Sequence, residues 1–243
     1  MKRNLNSLLN LRLKGTDGEI GKLRDFYFDD ISWTIRHLIL KTGSWFSERD
    51  VLISPDAVLH SHWEPGILPV SLTKDQMLKS PEIEADKPVA RQQEIEIYGH
   101  NLWQPYWGNS FYTTGLWDIN SQAKSSGENE VIKEHEEDRR DGYNKHLRST
   151  LVVTGFRIQA VDGSIGHVID YIFDDLTWQI SHVAIDTHNW IGGIKTLIPV
   201  MNIKEIQWSE AKVFVNENIE SIKNGLLFDQ VKYEHPETEV VTE

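Results

Sequence analysis

The chain has 243 residues, 39% of them hydrophobic and 26% charged, a balance that suits soluble globular protein and a length that suits two domains, each with its own core. Its formal net charge is −12 and no stripe dense in Lys and Arg runs along it, which argues against a nucleic-acid partner because counterion release needs a basic surface. It has no cysteine, which excludes disulfides, thiolate metal sites and thiol nucleophiles and permits a reducing compartment; with no signal peptide or membrane span read from the sequence, the cytoplasm is the expected location.

The first fifteen residues, MKRNLNSLLNLRLKG, carry a basic first turn, but Asn6, Asn10, Arg12 and Lys14 interrupt the apolar run, so they do not read as a secretory signal. No window approaches the ~18 consecutive apolar residues of a membrane span. No integral membrane segment is therefore expected, and any link to a membrane would pass through a membrane-bound protein partner. Gly21 to Phe28 and Trp33 to Thr42 are rich in β-branched and aromatic residues on either side of a short Asp-containing break, which predicts two strands of a hairpin. DVLISP (50–55), VLHSHW (58–63) and ILPVSL (67–72) predict three further strands, and TKDQMLKSP (73–81) predicts an N-cap followed by about two helical turns.

A different kind of segment occupies 81–147. ADKPVARQQEIEIY suggests a short helix, GHNLWQPYWGNSFYTTGLW gathers aromatics between Gly and Pro, and SSGENEVIKEHEEDRRDGYNKH reads as an acidic, solvated tether. From 148 to 227 the first pattern returns, with TLIPV, IKEIQW and KVFV as strands and NENIESIKNG as a short helix. An acidic tail, 228–243, follows.

That return is a repeat. DGEIGKLRDFYFDDISWTIRHLILKTGSW (17–45) aligns without a gap on DGSIGHVIDYIFDDLTWQISHVAIDTHNW (162–190), at an offset of 163 − 18 = 145. The positions that coincide are Gly18 and Gly163, Gly21 and Gly166, Asp25 and Asp170, Asp29 and Asp174, Asp30 and Asp175, and Trp33 and Trp178. The expected fold class is mainly β, with one small body in 1–80 and a second in 148–227. Short strands at close spacing favour small barrels, each followed by a short helix, over flat sheets with exposed edges.

The adjacent carboxylates Asp29 and Asp30 invite a catalytic or metal-binding reading. Consecutive strand residues point to opposite faces, so the two do not converge on one atom, and Asp starts turns readily. A turn required by the fold also explains why the pair occurs twice. The Asp-Gly starts, DGEIG and DGSIG, suit a residue of positive φ and a close backbone approach, and they lack both the spacing of a phosphate-cradling loop and its following helix.

The run G-x-I-G-x-[LV]-x-D-x-x-F-D-D-x-x-W, at 18–33 and again at 163–178, resembles the PRC-barrel family. That domain type is found in the cytoplasmic part of the photosynthetic reaction-centre H subunit and in the C-terminal domain of a ribosome maturation factor. RQQEIEIYGHNLWQPYW is similar to the aromatic segment that joins the copies in tandem PRC-barrel proteins of bacteria. The resemblance implies a compact β-barrel that docks on other proteins, without an activity of its own. The chain shows neither the anchor of the first relative nor the extra domain of the second, so neither specific role carries over.

Candidate chemistry is sparse. His60 and His62 stand at i, i+2, a spacing that can hold a metal, but the second copy has Glu205 and Gln207 there and no third ligand is identifiable. His37 and His182 occupy one repeat position, which suits packing or a backbone hydrogen bond. GGIKT (192–196) fails the full phosphate-loop spacing, and no nucleophile elbow accompanies the serines. No catalytic residue, cofactor or metal is assigned. The interface candidates are aromatic or adjoin aromatics: Trp45, Phe46, Trp103, Tyr106, Trp107 and Trp190. The expectation is a non-enzymatic adaptor for a protein partner that forms a homodimer through its aromatic insert. The alternative is a small-molecule-binding protein with a groove between the barrels and that insert.

Overall fold

The computed structural model describes residues 1–42, 49–60, 64–79, 82–83, 146–187 and 194–230. The expected helix at ADKPVARQQEIEIY, the rest of the aromatic insert, the tether and the tail from 231 lie outside them. The fold is mainly β, as the strand patterns predict, and its strands form two seven-stranded sheets.

Fourteen strands are described: β1 (Lys2–Asn4), β2 (Arg12–Gly15), β3 (Gly18–Asp29), β4 (Thr34–Thr42), β5 (Asp50–Ile53), β6 (Ile67–Pro69), β7 (Glu82–Ile83), β8 (Leu147–Ser149), β9 (Arg157–Ala160), β10 (Gly163–Asp174), β11 (Ile180–Asp186), β12 (Lys195–Pro199), β13 (Ile203–Gln207) and β14 (Lys212–Val215). Three short α-helices accompany them: α1 (Lys74–Lys79), α2 (Thr150–Val153) and α3 (Ile219–Lys223). One sheet runs β6-β2-β3-β4-β5-β7 and the other β12-β11-β10-β9-β14-β13. Each takes its seventh strand from the other repeat: β8 adds to β3, and β1 adds to β10. The leading segment of each repeat therefore crosses over to the other one.

The long strands β3 and β10 show why. Burial alternates along their first halves, as one-sided strands require, and becomes continuous from Asp25 to Phe28 and from Asp170 to Phe173. Those stretches, DFYF and DYIF, are covered on both faces. A register shift between Leu23 and Asp25, matched between Val168 and Asp170, marks a bulge at the step into this region. The crossing segment leaves its sheet at Asn10 (φ 68) or Gly155 (φ 93), equivalent positions in the left-handed region that Asn and Gly tolerate. One apolar cluster runs through both halves, from Leu5 and Phe28 to Phe173 and Ile222, and a smaller one of Ile172, Ala184 and Leu197 lies beside it.

The Asp-Gly starts have a local task. The carboxylate of Asp17 accepts from the Lys74 amide at 2.9 Å and that of Asp162 from the Ile219 amide at 2.9 Å, so each caps the first turn of the helix that closes its repeat. Gly21 and Gly166 pass so close to the carbonyls of Lys41 and Asp186 that a Cβ would strike them. Of VLHSHW, only Val58 to His60 are described, and they do not form the expected strand. Val58 follows a short 3-10 turn led by Pro55 and makes only one isolated bridge, to Val70, whereas the equivalent IKEIQ of the second repeat forms β13.

Gly166 also has φ +62, so Gly166→Ala meets both a strained backbone and a carbonyl. It is expected to lower unfolding free energy by about 1–3 kcal/mol. A urea midpoint equal to that of wild type would contradict this.

Candidate functional site

The most elaborate polar arrangement lies where the two repeats meet, and the duplicated carboxylates build it. Asp29 and Asp174 are turn residues. The Asp29 carboxylate accepts from the amides of Ile31 (3.1 Å) and Ser32 (2.7 Å), and that of Asp174 from Leu176 and Thr177 (both 3.0 Å). Each turn closes with the following Trp amide donating to the Asp carbonyl, at 2.8 Å in both copies. Trp33 (φ 54) and Trp178 (φ 57) adopt the left-handed region, which is costly for a bulky residue. Stacking offsets the strain: Phe28 lies on Trp33 at 5.3 Å and Phe173 on Trp178 at 5.4 Å between ring centroids.

Asp30 and Asp175 do not act as turn acceptors. Arg148, from β8, donates its Nε–H to Asp30 at 2.7 Å, while the His146 imidazole lies 3.0 Å from the other carboxylate oxygen. Across the pseudo-twofold, Arg3 from β1 donates Nε–H to Asp175 at 2.7 Å, and the Met1 ammonium reaches the same carboxylate at 2.6 Å. The difference from a plain turn pair has a simple cause. A strand laid beside the hairpin base brings a guanidinium into reach, and a carboxylate losing its water takes a charged partner where it can. Arg3 and Asp175 keep only 10% and 8% side-chain exposure.

Asp25 and Asp170 lie deeper. The Asp25 carboxylate accepts from the hydroxyls of Ser149 (2.5 Å) and Thr150 (2.8 Å) and from the amides of Leu151 (3.1 Å) and Phe26 (2.7 Å). Asp170 accepts from the Asn4 side-chain amide (2.8 Å) and from the backbone amides of Asn6 (3.0 Å) and Tyr171 (2.8 Å). Burial pushes both carboxyls above the usual carboxylate range, although these donors pull the other way. Between them sits Tyr171, whose hydroxyl donates to the Thr150 carbonyl at 3.2 Å. Burial, reinforced by both carboxylates, drives its phenol far above the ordinary range. The equivalent residue in the first repeat is Phe26, so this hydroxyl has no counterpart on the other side of the joint.

At the dyad itself, Thr34 and Gln179 face each other in an antiparallel bridge. The Ile35 amide donates to the Trp178 carbonyl at 2.8 Å, and the Ile180 amide to the Trp33 carbonyl at 2.7 Å. These carboxylates therefore hold two bodies together, and their burial keeps solutes away from them. Perturbed carboxyls normally suggest acid–base work. Here the perturbation comes with four protein donors on Asp25, which keeps only 5% exposure.

Other flagged residues are dispersed. His60 lies 6.3 Å from the Trp178 ring, His37 is fully buried, and His182 is partly exposed, held below the usual imidazole range by burial and by the charge of Lys2. Among the described residues, no three His, Asp or Glu side chains gather as a metal would require, and no helix is long and apolar enough to cross a membrane. Trp45, Phe46, His62, Trp103, Tyr106, Trp107 and Trp190 lie outside the described residues. Sequence reasoning did not single out Arg3, Asn4, His146, Arg148 or Ser149. Extending the 145-residue offset upstream of Gly18 would have found Arg3 with Arg148, although it would not have named their acceptors.

Two outcomes follow. Asp175→Ala should cost about 3–5 kcal/mol in urea unfolding, the range for stripping one partner from a buried ion pair, whereas Arg3→Met with Asp175→Leu should recover most of that loss. An additive double variant would contradict the pairing. The second concerns pH. A carboxyl whose folded pKa is raised holds its proton more firmly in the folded state, so its contribution is full below the unfolded value, near 4, and is lost as pH rises through the folded value. Asp25→Asn with Asp170→Asn should flatten the fall in stability above pH ~4, measured as the difference from wild type; an unchanged slope would contradict it. The chain matches no protein-family model and no curated protein.

Proposed function

We propose that the chain is a tandem PRC-type protein, two small barrels acting together as a non-enzymatic adaptor for a protein partner. One observation carries the reading: the repeats keep the same buried ion pairs, acids and turn tryptophans where they meet and differ at apolar positions exposed to solvent. Arg3 and Arg148, Asp25 and Asp170, Asp30 and Asp175, and Trp33 and Trp178 are identical pairs at the junction. Outward, the exposed Met201, Val161 and Leu151 have Asp56, Thr16 and Asn6 as their equivalents. A duplicated body that retains its joint while its surfaces diverge suits a scaffold with two different docking faces.

The second repeat supplies the more apolar face. Val161 and Met201 are 70% and 84% exposed. The Val161 amide donates to the Glu217 carbonyl at 3.0 Å and the Asn216 amide to the Asn202 carbonyl at 2.8 Å, which sets both turns beside one segment. Large apolar side chains left in water favour a covering partner. The aromatic insert, with Trp103 and Trp107, is the other proposed contact.

Affinity capture from the native cell tests this, with wild type beside Val161→Ser, Met201→Ser and beside Trp103→Ala, Trp107→Ala. Loss of a stoichiometric prey in either variant, with the urea midpoint unchanged, is the expected result. Identical prey lists in all three sink the adaptor reading.

A further inference from the structure

We infer that the joint between the repeats is also a docking surface for a second copy of this chain, and that two chains can trade halves, residues 1–83 of one closing on residues 146–230 of the other. The inference is independent of the adaptor reading, because it uses only the geometry of the joint.

The main contacts across the joint recur at an offset of 145. Arg3 on Asp175 matches Arg148 on Asp30, Asn4 on Asp170 matches Ser149 on Asp25, and the Ile35–Trp178 backbone bond matches Ile180–Trp33. All of these groups lie in 3–35 and 148–180. None of these bonds needs both halves to belong to the same polypeptide. The connection from Ile83 to His146 is 146 − 83 − 1 = 62 residues, long for a link within a compact body. Each half also places its own leading strand on the other, which is the contact that exchange between protomers reuses. A traded dimer would contain two complete joints, with every ion pair, buried carboxylate and strand bridge of the closed monomer. No new contact has to form.

What separates the two states is then concentration. A connection of this size gives an effective concentration of the order of a millimolar, so closure within one chain dominates at micromolar protein, and exchange becomes comparable when chains fold together near millimolar. Because the joint is interlocked by strands on both sides, partners chosen during folding should persist on later dilution.

The absence of cysteine allows a direct test with the full chain. Thr34 and Gln179 form a bridge pair flanked by hydrogen bonds rather than joined by them, the closer type of antiparallel pair, and so within disulfide reach. Thr34→Cys with Gln179→Cys in one chain should close internally on oxidation. An equal mixture of the two single variants, unfolded in urea and refolded together at about 1 mM, should give a covalent heterodimer in roughly a quarter of the chains, falling to about a thousandth at 1 µM. Either single variant alone should stay unlinked, since like positions occupy different joints. Wild type refolded at 1 mM should show in sedimentation a dimer that survives dilution and disappears after a second unfolding at 1 µM. The inference is overturned if wild type stays monomeric, if it dimerises while the mixture remains unlinked, which would place the contact elsewhere, or if the double variant does not close.

Discussion

Four carboxylates buried beneath strands from the opposite repeat are the constraint on which this architecture depends. Asp25 and Asp170 lose nearly all contact with water, and Asp30 and Asp175 lose most of it, so each must find donors within the protein. Their donors arrive from the leading segment of the other repeat: hydroxyls, an amide side chain, backbone amides and two guanidinium groups. Neither half can satisfy its own acids. The requirement explains why β1 and β8 cross over, why β3 and β10 are covered on both faces, and why one apolar cluster serves both halves.

Such a joint adds specificity more reliably than stability. Buried ion pairs often add little net free energy because desolvation offsets the attraction, yet leaving one partner alone is costly, so misaligned pairings of the two halves are strongly disfavoured. The left-handed Trp33 and Trp178 fit the same account. Their strained backbone persists because ring stacking on Phe28 and Phe173 and a hydrogen bond from the other half hold it. One break in symmetry, Tyr171 against Phe26, places a buried hydroxyl near both acids and spends it on the Thr150 carbonyl. Among the described residues, buried Asp and Arg side chains therefore gather where the halves meet, while exposed positions such as Val161 and Met201 differ between them.

Much of the local structure could be read from residues. The dense β-branched and aromatic runs marked β3, β4, β10 and β11, and TKDQMLKSP and NENIESIKNG marked the short helices, because strand and helix preferences act over a few residues. Asp29 was legible as a turn residue for the same reason. Asp30 was not distinguishable from it: adjacent in sequence and equal in chemistry, the two differ only in what lies opposite them. The leading segments were harder still. Three-residue strands such as KRN and LRS carry no pattern of their own, and α2 begins at a serine whose capping role shows only once the helix is seen. In VLHSHW the described residues, Val58 to His60, make only an isolated bridge, although the equivalent 3-10 turn in the second repeat leads straight into β13.

By itself, then, the sequence determined that one mainly β body is encoded twice at a spacing of 145 residues, with its hairpins, its capped helices and its paired acids in the same places. Only the tertiary structure decided that the two bodies interlock, which strand each lends to the other, and that Arg3 belongs to Asp175 and Arg148 to Asp30. The physical reason is range. Propensity and turn chemistry are settled among near neighbours, whereas a buried charge is matched by whatever group folding brings within about 3 Å of it, across well over a hundred residues of chain.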